Sequence, residues 1–406
     1  MKSKRRLFSA ILGIIVIFMV TTNCVVIRRI FPSRSNPTSI PQSTNPPTSV
    51  SENDVREPPT KEPAPDRPSV MELITVPNAV SQGAVCNDGT PAVYYFRPGV
   101  GSGRDLWIIH LQGGGLCTGQ ETCAVREKEQ PNFMTSKGFP KRRQGDGILS
   151  IESDDTSDFI RANHVYVHYC SSDLWSGDRG ASPGTDGRHF RGARIFRGVI
   201  EALKDPSITP TPNLAQAERV LFSGSSAGGV GVLVHLDWLA RELPGADVSG
   251  ATDAGWILDV MPFNQDVDAP ASQAQRGYDY WNATVDASCA TRFVGREGLC
   301  FLGEYAFQEI KQPLFIQIAQ FDRVQLGGLG LTLPLNDEER AYANEFGRAV
   351  RSSLVPVEAA FSPRNAEHGI LMKPDIWTYE IDGTTMREAL INWFFGWHGP
   401  VKLIER

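Results

Sequence analysis

An α/β fold on a doubly wound, mainly parallel sheet with irregular, cap-like insertions is the architecture this sequence predicts. Three observations carry it. Short continuous apolar runs, such as Leu106–Gln112 (LWIIHLQ) and Pro313–Gln320 (PLFIQIAQ), show no alternation, as expected of strands covered on both faces. Helical periodicity separates such runs, around Arg194–Leu203 and Asn336–Leu354. Between them, Arg219–Val230 (RVLFSGSSAGGV) passes from an apolar run through a small-residue turn into the helical pattern GVLVHLDWLARELP. Alternating strands and helices suit a parallel sheet, because each return crossover takes a helix.

The chain has 406 residues, 41% of them hydrophobic, with a net charge of -6. That balance argues against nucleic acid or any acidic polymer held by bulk charge. Lys2, Lys4, Arg5 and Arg6 precede an apolar run from Leu7 to Ile27, followed by Arg28 and Arg29. The run is long enough to span a bilayer, and Thr21-Thr22-Asn23-Cys24 is a poor cleavage or lipidation site. Residues 1–30 are therefore expected to be a membrane anchor or uncleaved signal, with the basic end cytoplasmic and the rest exported. Residues 31–70, rich in Pro, Ser and Thr, are expected to be a disordered tether, and residues 71–406 the folded domain. Six cysteines follow Cys24, an even number that suits an exported domain with three disulfides. Cys117 with Cys123 and Cys289 with Cys300 would close short loops, leaving Cys86 with Cys170 among the possible pairings. Their spacings fit no zinc pattern, so no metal or other cofactor is expected.

Each element in turn adds chemistry. Leu106–Gln112 leads into Gly113-Gly114-Gly115-Leu116, where bare backbone lets N–H groups converge on a developing anion. His164–Cys170 (HVYVHYC) reads as a strand leading into the polar loop Ser171–Asp178. Gly224-Ser225-Ser226-Ala227-Gly228 fits G-x-S-x-G, the strand-turn-helix nucleophile elbow of α/β-hydrolases, and Ser226 would stand exposed at the strand's end. Val248–Thr252 is a short strand ending at Asp253. The stretch containing Trp281, Cys289 and Cys300 has weak periodicity and reads as an insertion or cap. Asp322 follows the Pro313–Gln320 strand. Val357–Phe361 reads as the strand before Asn365-Ala366-Glu367-His368-Gly369, and Thr384–Trp397 as the closing helix.

Serine becomes a useful nucleophile only when a histidine takes its proton, and an acid must hold that imidazole in the right tautomer. In this fold the order is serine, acid, histidine. His110, His164, His168 and His189 precede Ser226, and His235 lies on the elbow helix. His368 follows a strand, whereas His398 lies past the last helix. Asp253 and Asp322 are both at strand ends, and Asp322 is one strand before the histidine loop. The expected triad is Ser226, Asp322 and His368, with oxyanion donors on the glycine loop and on Ala227.

The segments YYFRPGVGSGRDLWIIHLQGGGLC, GDGILS, YCSSDLWSGD, GSSAGGVGVL, DAGWILD, YWN, CFLGEY and QFDRVQL together resemble the pectin acetylesterase and Notum family, from about Met71 to Phe394. The resemblance implies an α/β-hydrolase-type serine carboxylesterase with Ser226, Asp322 and His368 as triad and Gly114, Gly115 and Ala227 as oxyanion donors. It also supports the short disulfides at Cys117 and Cys289. Leu116 stands where the plant branch has Trp, Gly115-Leu116 where the Notum branch has Trp-Tyr, and Ile257 where that branch has an aromatic. Leu116, Trp256 and Ile257 remain candidates for an apolar pocket. The expected function is removal of short acyl groups, acetyl foremost, from a polysaccharide such as pectin. A Notum-like protein or lipid deacylase is the alternative enzyme, and a catalytically decayed surface binding protein the alternative of another class. The expected partners are an ester substrate and, through the N-terminal segment, a membrane.

Overall fold

The computed structural model describes residues 68–151, 158–210 and 212–406. The apolar run Leu7–Ile27 and nearly all of the 31–70 stretch lie outside the described residues. Among the described residues no helix is long and apolar enough to cross a membrane.

The strands in chain order are β1 (Met71–Thr75), β2 (Val93–Arg97), β3 (Leu106–Leu111), β4 (Arg142–Arg143), β5 (Asn163–Val167), β6 (Arg219–Ser225), β7 (Asp247–Asp253), β8 (Leu314–Gln317), β9 (Ala359–Ser362), β10 (Glu380–Ile381), β11 (Thr384–Thr385) and β12 (Lys402–Ile404). Ten form one sheet in the order β12-β9-β8-β7-β6-β3-β5-β2-β1-β4, while β10 and β11 make a separate hairpin. From β12 to β5 neighbouring strands are parallel, and β2, β1 and β4 extend the sheet antiparallel.

Both faces are covered, which is why Leu106–Ile109 of β3 and Val220–Phe222 of β6 read as apolar runs without alternation. Leu221 of β6 faces a core of Tyr95, Ile108, Tyr166 and Phe315 that packs against the helix Met386–Phe395. Its neighbour Phe222 points to the other face, where its ring stacks on Phe196 of the helix Gly192–Lys204 at 4.9 Å. The chain leaves β3 toward β5 on one side and reaches β6 on the other. Ligands of open α/β sheets bind outside the strand ends at such a switch point. The glycine loop after β3 and the turn after β6 lie there.

Two readings are corrected. The closing helix starts at Met386, because Thr385 caps it through the Glu388 N–H and also belongs to β11. The chain then continues into β12, parallel to β9. The stretch between β7 and β8 is also less irregular than its sequence suggests: it holds the helices Pro270–Trp281, Ala287–Arg292 and Gly303–Ala306.

Candidate active site

β6 ends in a turn of very small cross-section. A Cβ on Gly224 would meet the Gly228 carbonyl oxygen at 2.2 Å, and one on Gly228 would meet that of Leu111 at 2.0 Å. Any side chain at either position would drive the helix Ala227–Glu242 off the sheet. Ser226, at the bend, adopts φ 56° and ψ -121°, a conformation that costs a non-glycine residue about 1 to 3 kcal/mol. Its N–H donates to the Asp253 carbonyl at 2.7 Å, which helps to hold the bend.

The Ser226 hydroxyl lies 2.8 Å from His368 Nε2, and His368 Nδ1 lies 2.8 and 3.0 Å from the two carboxylate oxygens of Asp322. With Nδ1 donating to the carboxylate, Nε2 is left to accept from the serine. Asp322 is fully buried and also caps the helix Arg323–Gly328, accepting the N–H groups of Val324 and Gln325. Its orientation is thereby fixed independently of the histidine. Glu367, next to His368, instead pairs with Lys373 and Arg323, and Lys373 chiefly holds its carboxyl below the usual range. His398 is exposed beyond the last helix.

The glycine loop is anchored by its carbonyls. Arg126 Nη2 donates to Gly114 O at 2.6 Å, and the Tyr169 hydroxyl donates to Gly115 O at 2.9 Å. Gly113 packs on the elbow, where an added Cβ would come within 2.9 Å of Ser226 Cβ. The Ala227 N–H opens the elbow helix and is one of the donors a helix leaves without an intrahelical partner. The sequence reading missed Arg126, a basic residue in the short helix Gln120–Glu129 that also holds Cys123.

An apolar cavity of about 190 Å³ opens against Ser226 and His368. Leu116 and Val324 line it and are partly exposed to solvent, at 39% and 52%; Leu174, Val230, Ile257 and Phe301 also line it. Leu174 comes from the Ser171–Asp178 loop, so that loop borders the cleft. The segment between β7 and β8 supplies another wall through Ala274, Trp281 and Leu302. Trp256 does not line the cavity: it is fully buried, with Gly303 and Phe307 against its ring and its indole N–H on Ser353.

Disulfides join Cys86 to Cys170, Cys117 to Cys123 and Cys289 to Cys300. The second follows the glycine loop directly, and the Trp281 indole donates to Cys117 O at 2.8 Å, tying the loop to the cap.

A family model described as Pectinacetylesterase matches residues 65–405. The chain is 34% identical over 329 residues to the palmitoleoyl-protein carboxylesterase NOTUM of Homo sapiens, covering 77% of this chain and 64% of that protein. It is 34% identical over 341 residues to the Mus musculus protein of the same name, covering 80% and 65%. The Drosophila melanogaster protein of that name is 33% identical over 325 residues, covering 78% and 47%. The chain thus spans slightly less than two thirds of the length of the vertebrate relatives it matches.

Proposed function

This chain belongs to the pectinacetylesterase family, whose Notum relatives are carboxylic ester hydrolases, and from that premise we propose that it is a serine carboxylesterase whose substrate carries an acyl chain of several carbons. Ser226 attacks the ester carbonyl as its proton passes to His368 Nε2, while Asp322 stabilises the imidazolium. The N–H groups of Gly114, Gly115 and Ala227 receive the oxyanion, each donor worth about 3 to 4 kcal/mol in the transition state. His368 then returns the proton to the departing alcohol. Water, activated by the same histidine, hydrolyses the acyl-enzyme.

The observation that carries the acyl length is the cavity beside Ser226. By the same measure one water needs about 10–15 Å³, so 190 Å³ far exceeds what an acetyl group fills. Apart from Ser226 and His368, only Gln273 and Gln325 bring polar side chains to its otherwise aliphatic and aromatic walls, which suit a hydrocarbon tail better than a sugar. Removal of acetyl from a polysaccharide is the second reading. It is favoured by Leu116 and Ile257, smaller than the aromatics of the Notum branch, and would place the sugar outside the cavity. We also propose that the domain acts outside the cytoplasm, where its three disulfides persist, held at the membrane by residues 1–30.

Chromogenic esters from acetyl to palmitoyl test both readings. The expected optimum in kcat/KM lies at six carbons or longer, and Ser226→Ala should abolish turnover without unfolding. An optimum at acetyl would transfer the assignment to the polysaccharide reading, and unchanged turnover in Ser226→Ala would remove the mechanism.

A further inference from the structure

The Ser226–His368–Asp322 chain leaves one fully buried carboxylate beside it without a role. Asp253 ends β7, directly opposite Ser225 in the parallel register with β6. Both its carboxylate oxygens accept the Ile370 N–H, at 2.9 and 3.1 Å, and Oδ2 also accepts the Leu371 N–H at 3.1 Å and the Ser225 hydroxyl at 2.5 Å. Its backbone carbonyl takes the N–H of Ser226. One residue thus grips the nucleophile, its preceding neighbour and the chain just past the histidine. Between His368 and Ile370 the turn passes through Gly369 at φ 75°, where an added Cβ would stand 3.2 Å from Asp253 Oδ2. The histidine turn therefore rests directly on this carboxylate.

Burying a carboxyl is costly, and here burial pushes it above its usual range despite the hydrogen bonds from Ser225, Ile370 and Leu371. A neutral side chain would meet a purely structural need with less desolvation. The titratable groups facing Asp253 are His368 on the turn and His110 of β3, whose Nε2 lies 3.4 Å from Ser225 Oγ. His110 is held neutral by burial, and Arg143, which stacks on Tyr166, adds to that effect. His368 is thus the group able to become cationic beside Asp253 during turnover.

We propose that Asp253 is a positioning residue for the esterase reaction: it clamps the histidine turn to the elbow, setting the Ser226–His368 approach, and its charge favours the imidazolium formed when Ser226 gives up its proton. The proposal rests on the serine esterase reading above. Asp253→Asn keeps shape and removes charge. Its kcat should fall about 10- to 100-fold, as expected for a small misplacement of reacting groups, with KM within about twofold because the cavity is untouched. With less negative charge beside the histidine, protonation is disfavoured, so the acid limb of the kcat/KM profile should move to lower pH by about half a unit. Ser225→Ala cuts the link to the elbow and keeps the charge, so kcat should fall several-fold with that limb unmoved.

Ser226→Ala is measured alongside. If it retains turnover, the esterase reading and this proposal fall together. If it is inactive while Asp253→Asn keeps wild-type kcat, or loses kcat only with its melting temperature and with an unmoved pH profile, the assignment to Asp253 alone is overturned. Should Asp253→Asn fail to fold, wild-type kcat in Ser225→Ala would refute the clamp.

Discussion

Lowering the pH from 7 to 5 should weaken the folded state; four buried groups together account for about 4 kcal/mol of loss, which the buried Asp253 carboxyl, also pushed up by burial, reduces further. His110, His168 and His235 are buried, and burial holds their imidazoles down at about 3, about 4 and about 4, against about 6.5 in an unfolded chain. Over the window from about 6.5 down to about 4 the unfolded chain binds protons that the folded protein refuses. Stability is therefore complete above that window and lost as the pH falls through it. By linkage each histidine costs about 2 kcal/mol between pH 7 and 5, or about 6 kcal/mol for the three. Asp173 acts with the opposite sign. Its carboxyl, fully buried, is pushed up to about 7, so over the same interval it takes a proton only in the folded state and offsets about 2 kcal/mol. The net loss is a large fraction of a typical domain's 5 to 15 kcal/mol. Urea unfolding of the purified, disulfide-intact protein at pH 7, 6 and 5 measures it directly. Replacing His235 by Gln, which can still donate to the Trp175 carbonyl, should reduce proton uptake on unfolding at pH 5 by about one. Stability that is flat or rising from pH 7 to 5 would refute the reasoning.

Three further outcomes are expected. Asp322→Asn should lower kcat by about 10³- to 10⁴-fold on any ester the protein turns over, with KM little changed, because the wrong histidine tautomer faces Ser226. Ala274→Phe places a ring in the cavity wall, so kcat/KM for octanoyl esters should drop at least about tenfold while acetyl esters stay within about twofold. An unchanged ratio between the two would show that the acyl chain lies elsewhere. Gly228→Ala forces a methyl group to within 2.0 Å of the Leu111 carbonyl oxygen and should cost about 3 kcal/mol or more, read as a fall in melting temperature or loss of soluble protein.

The central strands were legible because sheet position and composition agree: β3 and β8 are covered on both faces and mostly apolar, and β6 carries the apolar run Val220–Phe222 before its small-residue end. The elbow was legible for a steric reason, since only glycines fit at Gly224 and Gly228. β12 was missed because three residues after a helix carry no period. The helix Pro270–Trp281 was missed because its buried positions include the small residues Ala274 and Gly277, which leave no apolar stripe. Asp322 and Asp253 looked alike as acids at strand ends. What separates them is where the chain after β9 comes to rest, with the His368 ring on Asp322 and the following backbone N–H groups on Asp253. That distinction spans 117 residues for Asp253 and Ile370, beyond any local pattern.

The three disulfides share a location as well as a chemistry. Cys117–Cys123 closes the segment after the glycine loop, Cys86–Cys170 fixes the base of the loop that delivers Leu174, and Cys289–Cys300 staples the wall that carries Phe301. The elbow and the Asp322 and His368 turns carry no cysteine and are held by packing and hydrogen bonds. Oxidation thus divides the molecule into a scaffold that is thiol-independent and a rim that is not. In a reducing environment Ser226 would keep its hydrogen-bonded partner His368 but lose the disulfide tethers of the cavity walls. The redox state of the surroundings would then set whether these walls are tethered, while the elbow and the two turns stay as they are.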